Sequence, residues 1–561
     1  MKGEIEKAIT KVLQGMGVET TSFVVEHPTD LSHGDYATNV AMVCAKKLGK
    51  SPREFAESFT KELEGKIPHV ASISIAGPSF INFHLDRYFF SEKIADINAD
   101  PETFGRNDSW KGKEVIVEYT DPNPFKEFHI GHLFTNTVGE SIARLFMMAG
   151  ADVQRVNYQG DVGLHVAYAL WGMQQLDFAD GESFTARDLG KAYAFGVASY
   201  KESEEAQKDI REINKRIYDR KDPAVNARYD KGREVSLAYF ETIYEMLDTK
   251  FDAYFFESEA GPRGKELVQG NPTVFTQSDG AYIFDGEKHG LHTRVFLNKE
   301  GLPTYEAKEL ALAKMKEERL GVYDLSIIST SNEITEYFKV LKKAMSFVFP
   351  ELEKKTEHIG HGTVRLTTGK MSSRTGDVIP AIDFIEELSD ATASKMDTGG
   401  KSAPDETLAR DIAIGAIKYA TLKGNILQDS IFDKERALDL EGDSGPYLMY
   451  THARIVSLEK KAEEAGVQAS DAHAPEKSYE VEKIIYQFPE IIEKSQRERA
   501  PHHVVVFLTQ LASAFNTFYA HEKIADPTDE FAPYKLMLAK AVRTTLKNGL
   551  WVLGIKAPDR M

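Results

Sequence analysis

The chain has a single cysteine, Cys44, in 561 residues. That excludes a disulfide framework and any cysteine-rich zinc site. No apolar run approaches the roughly 20 residues needed to span a bilayer. No signal peptide is apparent either, because Met1-Lys-Gly-Glu-Ile-Glu opens an amphipathic helix. The expectation is a soluble, cytoplasmic protein without a membrane partner. Positive charge is also in short supply: 69 Lys and Arg stand against 87 Asp and Glu, a net −18. This argues against DNA and against general nucleic-acid binding. Local basic surfaces stay open to RNA, since repulsion is screened within roughly 8 Å at physiological salt. There is no internal repeat and no long low-complexity segment. What is present is an ordinary globular balance, 42% hydrophobic and 28% charged, in a chain too long for one core.

Periodicity divides the chain into three. Residues 1–108 read as a small α/β module, with helical spacing over Glu4–Leu13 and Asn39–Leu48. Within it Ser72–Ala76 and Phe80–Leu85 alternate as paired strands across Gly77-Pro78. A polar linker, Asn98–Lys113, follows. Residues 109–404 begin strand–helix–strand: a buried strand at Lys113–Thr120, then a helix after Gly131 with Phe134, Val138, Ile142 and Leu145 on one face. Gly150 suits that helix's C-cap, and Gln154–Tyr158 reads as the second strand. The charged helical stretch at about 171–270 reads as an insertion. Strand-like segments return at Gly280–Phe284, Thr293–Leu297 and Leu325–Ser329, with helices at Glu306–Glu318 and Glu333–Phe347. Residues 405–561 are helical throughout. The expected class is α/β: a Rossmann-type parallel sheet split by a helical insertion, flanked by the N-terminal module and an all-α C-terminal domain.

Chemistry concentrates at Pro122-Asn-Pro-Phe-Lys-Glu-Phe-His-Ile-Gly-His132, a strand-to-helix turn. A helix N-terminus leaves N–H groups unpaired and favours anions. His129 and His132 add donors whose charge can change near neutral pH. Gly131 lets a flat ring approach the backbone. These features suit a nucleoside triphosphate; they also suit a capping histidine beside a core histidine. Thr368-Gly-Lys-Met-Ser-Ser-Arg-Thr-Gly376 is a glycine-bracketed loop whose Lys370 can follow charge building on phosphates, or an ordinary basic turn. Glu118 precedes Asp121-Pro-Asn123 by three residues, and Tyr305 and Glu309 stand four apart on one helix face. Carboxylates at the carboxyl edge of a parallel sheet suit a cation, and a guanidinium uses them best through bidentate bonds.

With both motifs in this order and at this separation, the sequence resembles the class I aminoacyl-tRNA synthetases, His129-Ile-Gly-His132 and Lys370-Met-Ser-Ser373 being the two signatures. Longer segments narrow the resemblance to the arginyl-tRNA synthetase family. They are Val117-Glu-Tyr-Thr-Asp-Pro-Asn123 with Lys126, Asn157-Tyr-Gln-Gly-Asp-Val-Gly163, Gly34–Ala41, Ala76–Phe83, Gly442–Arg454, Phe515–Tyr519 and Leu553–Met561.

The resemblance implies roles. His129, His132, Lys126 and Lys370 would be catalytic, and ATP would meet His129, Gly131, His132, Lys370, Met371 and Ser372. Glu118, Asn123, Tyr305, Glu309 and Asn332 would bind arginine. Glu309 stands where the family commonly has aspartate, and Asn332 where it often has glutamine. Tyr447, Tyr450 and His452 would face tRNA, although packing in a helical bundle serves such side chains equally. The implied reaction consumes ATP with Mg²⁺, needs no zinc or organic cofactor, and transfers arginine to tRNA by way of an adenylate. The implied protein is a monomer whose N-terminal module meets the tRNA elbow and whose C-terminal domain meets the anticodon. A lysine enzyme, a non-catalytic RNA-binding relative and a nucleotidyltransferase are the rival readings.

Overall fold

Successive side chains of a strand face opposite ways, and Glu114-Val-Ile-Val-Glu118 uses both faces. Val115 and Val117 pack into one hydrophobic core and Ile116 into another. Glu118 shares the face of Ile116, which decides its surroundings. The computed structural model describes residues 1–18, 22–176, 183–367, 379–396 and 405–561.

The N-terminal module carries α1 (Lys2–Gly15), α2 (Val40–Cys44) and α3 (Pro52–Leu63) on an antiparallel sheet. Its strands are β1 (Val25–Glu26), β2 (Tyr36–Thr38), β3 (Val70–Ala76) and β4 (Phe80–Leu85). The hairpin expected across Gly77-Pro78 is β3–β4, with Ile75 opposite Ile81. The helix α4 (Arg87–Ala99) then leaves the module and buries Ile94 and Ile97 in the core that later helices share.

The central sheet is parallel, with strand order β12-β11-β5-β6-β7. Its strands are β5 (Glu114–Glu118), β6 (Asp152–Gln159), β7 (Ala253–Phe256), β11 (Leu325–Ser331) and β12 (Thr356–His361). The helix α5 (Ile130–Met148) joins β5 to β6, and Gly150 ends its turn at φ 84°. Between β6 and β7 lie α6 (Leu164–Gln175), α7 (Ala186–Glu202), α8 (Glu204–Asp219) and α9 (Pro223–Met246), the expected insertion. After β7 come α10 (Glu257–Gly270), α11 (Tyr305–Leu320), α12 (Thr335–Val348) and α13 (Pro350–Lys355). Helices α10, α11 and α12 pack with Ile116, Val156 and Phe255 on one sheet face; α5 covers the other. Strand order reverses between β5 and β11, and the crevice beyond the carboxyl ends of those strands is where such sheets bind ligands.

Two of the expected strands belong elsewhere. The segments near 280–284 and 293–297 are β9 (Ala281–Phe284) and β10 (Arg294–Leu297), which pair antiparallel with β8 (Thr276–Ser278) in a separate sheet. A short parallel pair, β13 (Val364–Leu366) with β14 (Ser430–Phe432), joins the sheet domain to the helices beyond. Those helices are α14 (Ala381–Met396), α15 (Glu406–Leu422), α16 (Lys434–Ala437), α17 (Gly445–Glu464), α18 (Glu480–Ile485), α19 (Phe488–Glu498), α20 (His502–His521) and α21 (Ala532–Val552). They share one core with α5. A buried polar knot fastens the contact: Arg144 of α5 bonds Glu140 (2.8 Å), the Trp551 carbonyl (2.9 Å) and the Asp248 carbonyl (2.8 Å). Lys418 of α15 donates to the carbonyls of Leu247 and Gly554, each at 2.6 Å. Among the described residues no helix is long and apolar enough to cross a membrane.

Candidate active site at the carboxyl edge of the sheet

The turn from β5 to α5 is strained and anchored from outside. Thr120, Asp121 and Phe125 all hold positive φ, at 81°, 44° and 68°. Such geometry costs roughly 1–3 kcal/mol per residue and persists only where the surroundings enforce it. Asp121 accepts from the Tyr158 amide (2.7 Å). Phe125 is fully buried in the core of the helical insertion, its amide donates to Ser236 (2.9 Å), and its ring fills the space beside Gly232. The insertion therefore holds the turn that presents Lys126 and His129.

His129 caps α5 and stacks on His132, ring centroids 3.7 Å apart. The His129 amide donates to His132 Nδ1 (3.3 Å), so a neutral His132 carries its proton on Nε2. His129 Nδ1 is buried without a hydrogen-bond partner. Burial, helped by the Lys126 ammonium, pushes His129 down to about 4; burial likewise holds His132 well below the usual imidazole range. The expectation that these rings change charge near neutral pH is thus corrected: both are neutral donors. Gly131 also has a different partner from the one expected. A Cβ there would lie 2.9 Å from His129 Nδ1 and Cε1, so the flat ring lying over the glycine is the protein's own imidazole. Lys126 rests over the Tyr193 ring (4.8 Å), and burial brings it down to about 8.

The second signature, with Lys370, Met371 and Ser372, lies outside the described residues. Its flank does not. The Ile130 amide donates to the Ile379 carbonyl (3.2 Å), the Ala381 amide donates to the Phe128 carbonyl (2.8 Å), and His129 pairs with Pro380. The chain that follows the second signature is stitched to the first.

An acidic pocket stands on the α11 face of the same edge. Glu309 is buried, and Tyr305 bonds it from one turn away. Burial and the neighbouring Glu118 push Glu309 up to about 8, while Asp121 is raised well above the usual carboxylate range by burial and by Glu118. Glu118 does not face open space: its Oε2 lies 2.5 Å from Lys316 Nζ, both side chains 2% exposed. Asn123 packs its amide oxygen against Gly160, beside the ion pair of Glu257 and Lys308 (2.6 Å). Two residues that sequence reasoning missed complete the wall. The hydroxyls of Tyr158 and Tyr337 are buried without hydrogen-bond partners, and both rings lie in the field of Glu309. Tyr337 packs against Tyr305, ring centroids 5.0 Å apart. His165 was missed as well; its Nε2 donates to the Gly160 carbonyl (2.6 Å) near Lys126. Tyr158 and His165 flank the Gly160-Asp161 motif, a signal that was available.

Asn332 follows the carboxyl end of β11, exposed at that edge, and bonds Asp429. His452 is 2% exposed and its Nδ1 donates to the Pro558 carbonyl (2.9 Å), which makes it a packing residue, out of reach of RNA. Tyr447 and Tyr450 are half-buried on α17: Tyr447 accepts from Asn516 (3.0 Å), and Tyr450 lies under Arg454 (4.8 Å). No cluster that could hold a metal ion occurs among the described residues.

A doubly covered parallel sheet with a strained strand-to-helix turn, paired imidazoles and a neighbouring acidic pocket has the architecture of a class I tRNA synthetase, and comparison with known proteins agrees. The family profile described as tRNA synthetases class I (R), catalytic domain, matches residues 95–434; the arginyl tRNA synthetase N terminal domain matches residues 2–85 and the DALR anticodon binding domain residues 448–561. The chain belongs to the arginyl-tRNA synthetases. It is 30% identical to the arginine–tRNA ligase of Shewanella pealeana over 96% of this chain and 95% of that one. With that of Limosilactobacillus reuteri it shares 29% over the whole of both. The fold matches the Thermus thermophilus arginyl-tRNA synthetase (TM-score 0.80, 24% identity, all of both chains). It also matches that of Plasmodium falciparum (TM-score 0.79, 20% identity, 100% and 99% of the chains).

Proposed function

We propose that the carboxyl-edge site performs the two steps of arginine–tRNA ligation with the residues described above. ATP enters with its own Mg²⁺, which the triphosphate oxygens carry. The triphosphate lies over the N-terminus of α5, against His129, Gly131 and His132, with Lys126 beside it and Lys370, Met371 and Ser372 as its further partners. The arginine guanidinium enters the pocket of Glu309, Tyr305 and Asn123, with the Glu118–Lys316 pair as its floor. The arginine carboxylate oxygen attacks the α-phosphorus; the bond to the bridging oxygen breaks, and pyrophosphate leaves with that electron pair. Neutral N–H donors and a lysine stabilise the leaving charge without taking a proton, which fits imidazoles held neutral. The terminal adenosine hydroxyl of tRNA then attacks the adenylate carbonyl and AMP departs. The N-terminal module would hold the tRNA elbow, and the C-terminal helices, with Tyr447 and Tyr450, the anticodon end. The enzyme would act as a monomer in the cytoplasm.

The observation that carries this reading is the turn that follows β5: it ends in the stacked His129 and His132, and its Asp121 lies in the field of the buried carboxyls of Glu118 and Glu309. The test is aminoacylation of unfractionated tRNA with each amino acid in turn, then arginine kinetics of variants. Glu309→Gln should raise the arginine KM roughly 10- to 100-fold, the worth of a charge-assisted bond. Tyr158→Phe should raise it about fivefold. The ATP KM should move less than about twofold in both. Charging with lysine, or equal shifts in both KM values, would remove the assignment.

A further inference from the structure

Two periodicities bring a resident cation into the arginine pocket. Glu118 shares a sheet face with Ile116, the face that α11 covers. Lys316 stands two helical turns beyond Glu309 on that helix, and so on the same side. The result is the 2.5 Å contact between Lys316 Nζ and Glu118 Oε2, with Ser326 Oγ 3.5 Å from the same ammonium. Lys316 makes no other ion pair among the described residues. A cavity of about 10 Å³ lined by Glu309, Lys316, Tyr323 and Ser326 has room for at most about one water, so bulk solvent does not reach these charges from behind. The groups facing Glu309 are Glu118 and Asp121 from β5 and its turn, Tyr158 from β6 and Glu257 from α10. Tyr305 and Lys316 of α11, Tyr323 and Ser326 beside β11, and Tyr337 of α12 complete the set.

We infer that Lys316 is a positioning residue that sets the charge of the arginine pocket: by holding Glu118 in an internal ion pair, it keeps that carboxylate from competing with Glu309 for a proton and for the guanidinium. The inference rests on the pocket assigned under the proposed function. With Lys316 in place, the ion pair is neutral and Glu309, raised to about 8, gives up its proton as the guanidinium enters. Without it, two buried carboxyls face each other and share a proton, because like charges in low dielectric do not both ionise. Glu309 then ionises only at higher pH. Glu118→Gln has a different consequence. It strands the ammonium, which turns to Glu309 and occupies the guanidinium's place.

The experiment measures kcat/KM for arginine in tRNA charging from about pH 6 to about 9.5. It uses the full-length parent, Lys316→Met, Lys316→Arg, Glu118→Gln, the double variant Glu118→Gln/Lys316→Met, and Glu309→Gln. Lys316→Met should move the acid limb up by about one pH unit, roughly a tenfold loss at pH 7, with the ATP KM changed less than about twofold. Lys316→Arg should return the limb to the parent's position. The double variant, which removes both charges and does not depend on the single Lys316 variant folding, should raise the arginine KM less than Glu118→Gln alone. A limb that stays put in Lys316→Met, or a double variant at least as impaired as Glu118→Gln, would overturn the inference. The second result would make Glu118 a direct ligand. If Glu309→Gln leaves the arginine KM unchanged, the pocket itself is misassigned, an outcome distinct from failure of the Lys316 role.

Discussion

Gly131→Ala separates chemistry from stability. The residue lies in the first turn of α5, and its φ is not in the left-handed region, so alanine suits the backbone. Alanine should favour the helix by up to about 1 kcal/mol. The new methyl, however, would sit 2.9 Å from both Nδ1 and Cε1 of His129, where ordinary contacts begin at about 3.4 Å. The imidazole must therefore retreat by about half an ångström or turn off its rotamer, at roughly 0.5–1.5 kcal/mol. The two terms nearly cancel in the folded protein. They do not cancel in the proposed reaction, because the ring leaves its 3.7 Å stack on His132 and with it the position proposed for a phosphate donor. Losing one preorganised donor costs about 10²–10³ in kcat. Single-turnover adenylate formation with tRNA present should thus slow about 100-fold, while the melting temperature and the arginine KM stay close to the parent's. If the variant kept kcat within about threefold, the ring over Gly131 would not be the phosphate donor.

Two further outcomes follow from buried charge. Arg144→Met strips the nearer cation from a knot that joins α5 to Trp551 and Asp248 and leaves Glu140, which is 1% exposed, with Arg155 (3.4 Å) and the Tyr119 hydroxyl alone; unfolding by denaturant should register a loss of about 1.5–3 kcal/mol. His358, stacked on Phe338 with ring centroids 3.9 Å apart and bonded to Thr330, is pushed down to about 4 by burial. A depressed histidine contributes stability above its unfolded value near 6.5 and loses it as pH falls through the folded value. Between pH 7 and pH 5 the parent should lose about 1–2 kcal/mol more than His358→Gln, allowing for partial exposure. Equal losses in the two proteins would show the ring to be free to protonate.

The elements that were legible in the sequence are those whose burial repeats at their own period. β5, α5 and β6 are flanked by core on the sides their apolar residues name, and the insertion between β6 and β7 shows as a run of helices. β12 was not read because Thr356-Glu-His-Ile-Gly-His361 is an edge strand, paired among the described residues with β11 alone, and carries polar side chains that no core demands. The helix α3 was missed although its start is explicit: Ser51 and Glu54 form a capping box around Pro52. At the site, residue type was readable and partnership was not. Nothing local says that Phe125 leaves its turn to lie in the insertion's core, or that His452 bonds a carbonyl 106 residues away. The pairing of Glu118 with Lys316 sits between these cases. Strand parity and helix repeat each point to it, but only if β5 and α11 are already known to touch. Long-range register is thus the missing quantity, and it decides whether a carboxylate in a signature segment meets a substrate or a lysine of its own chain.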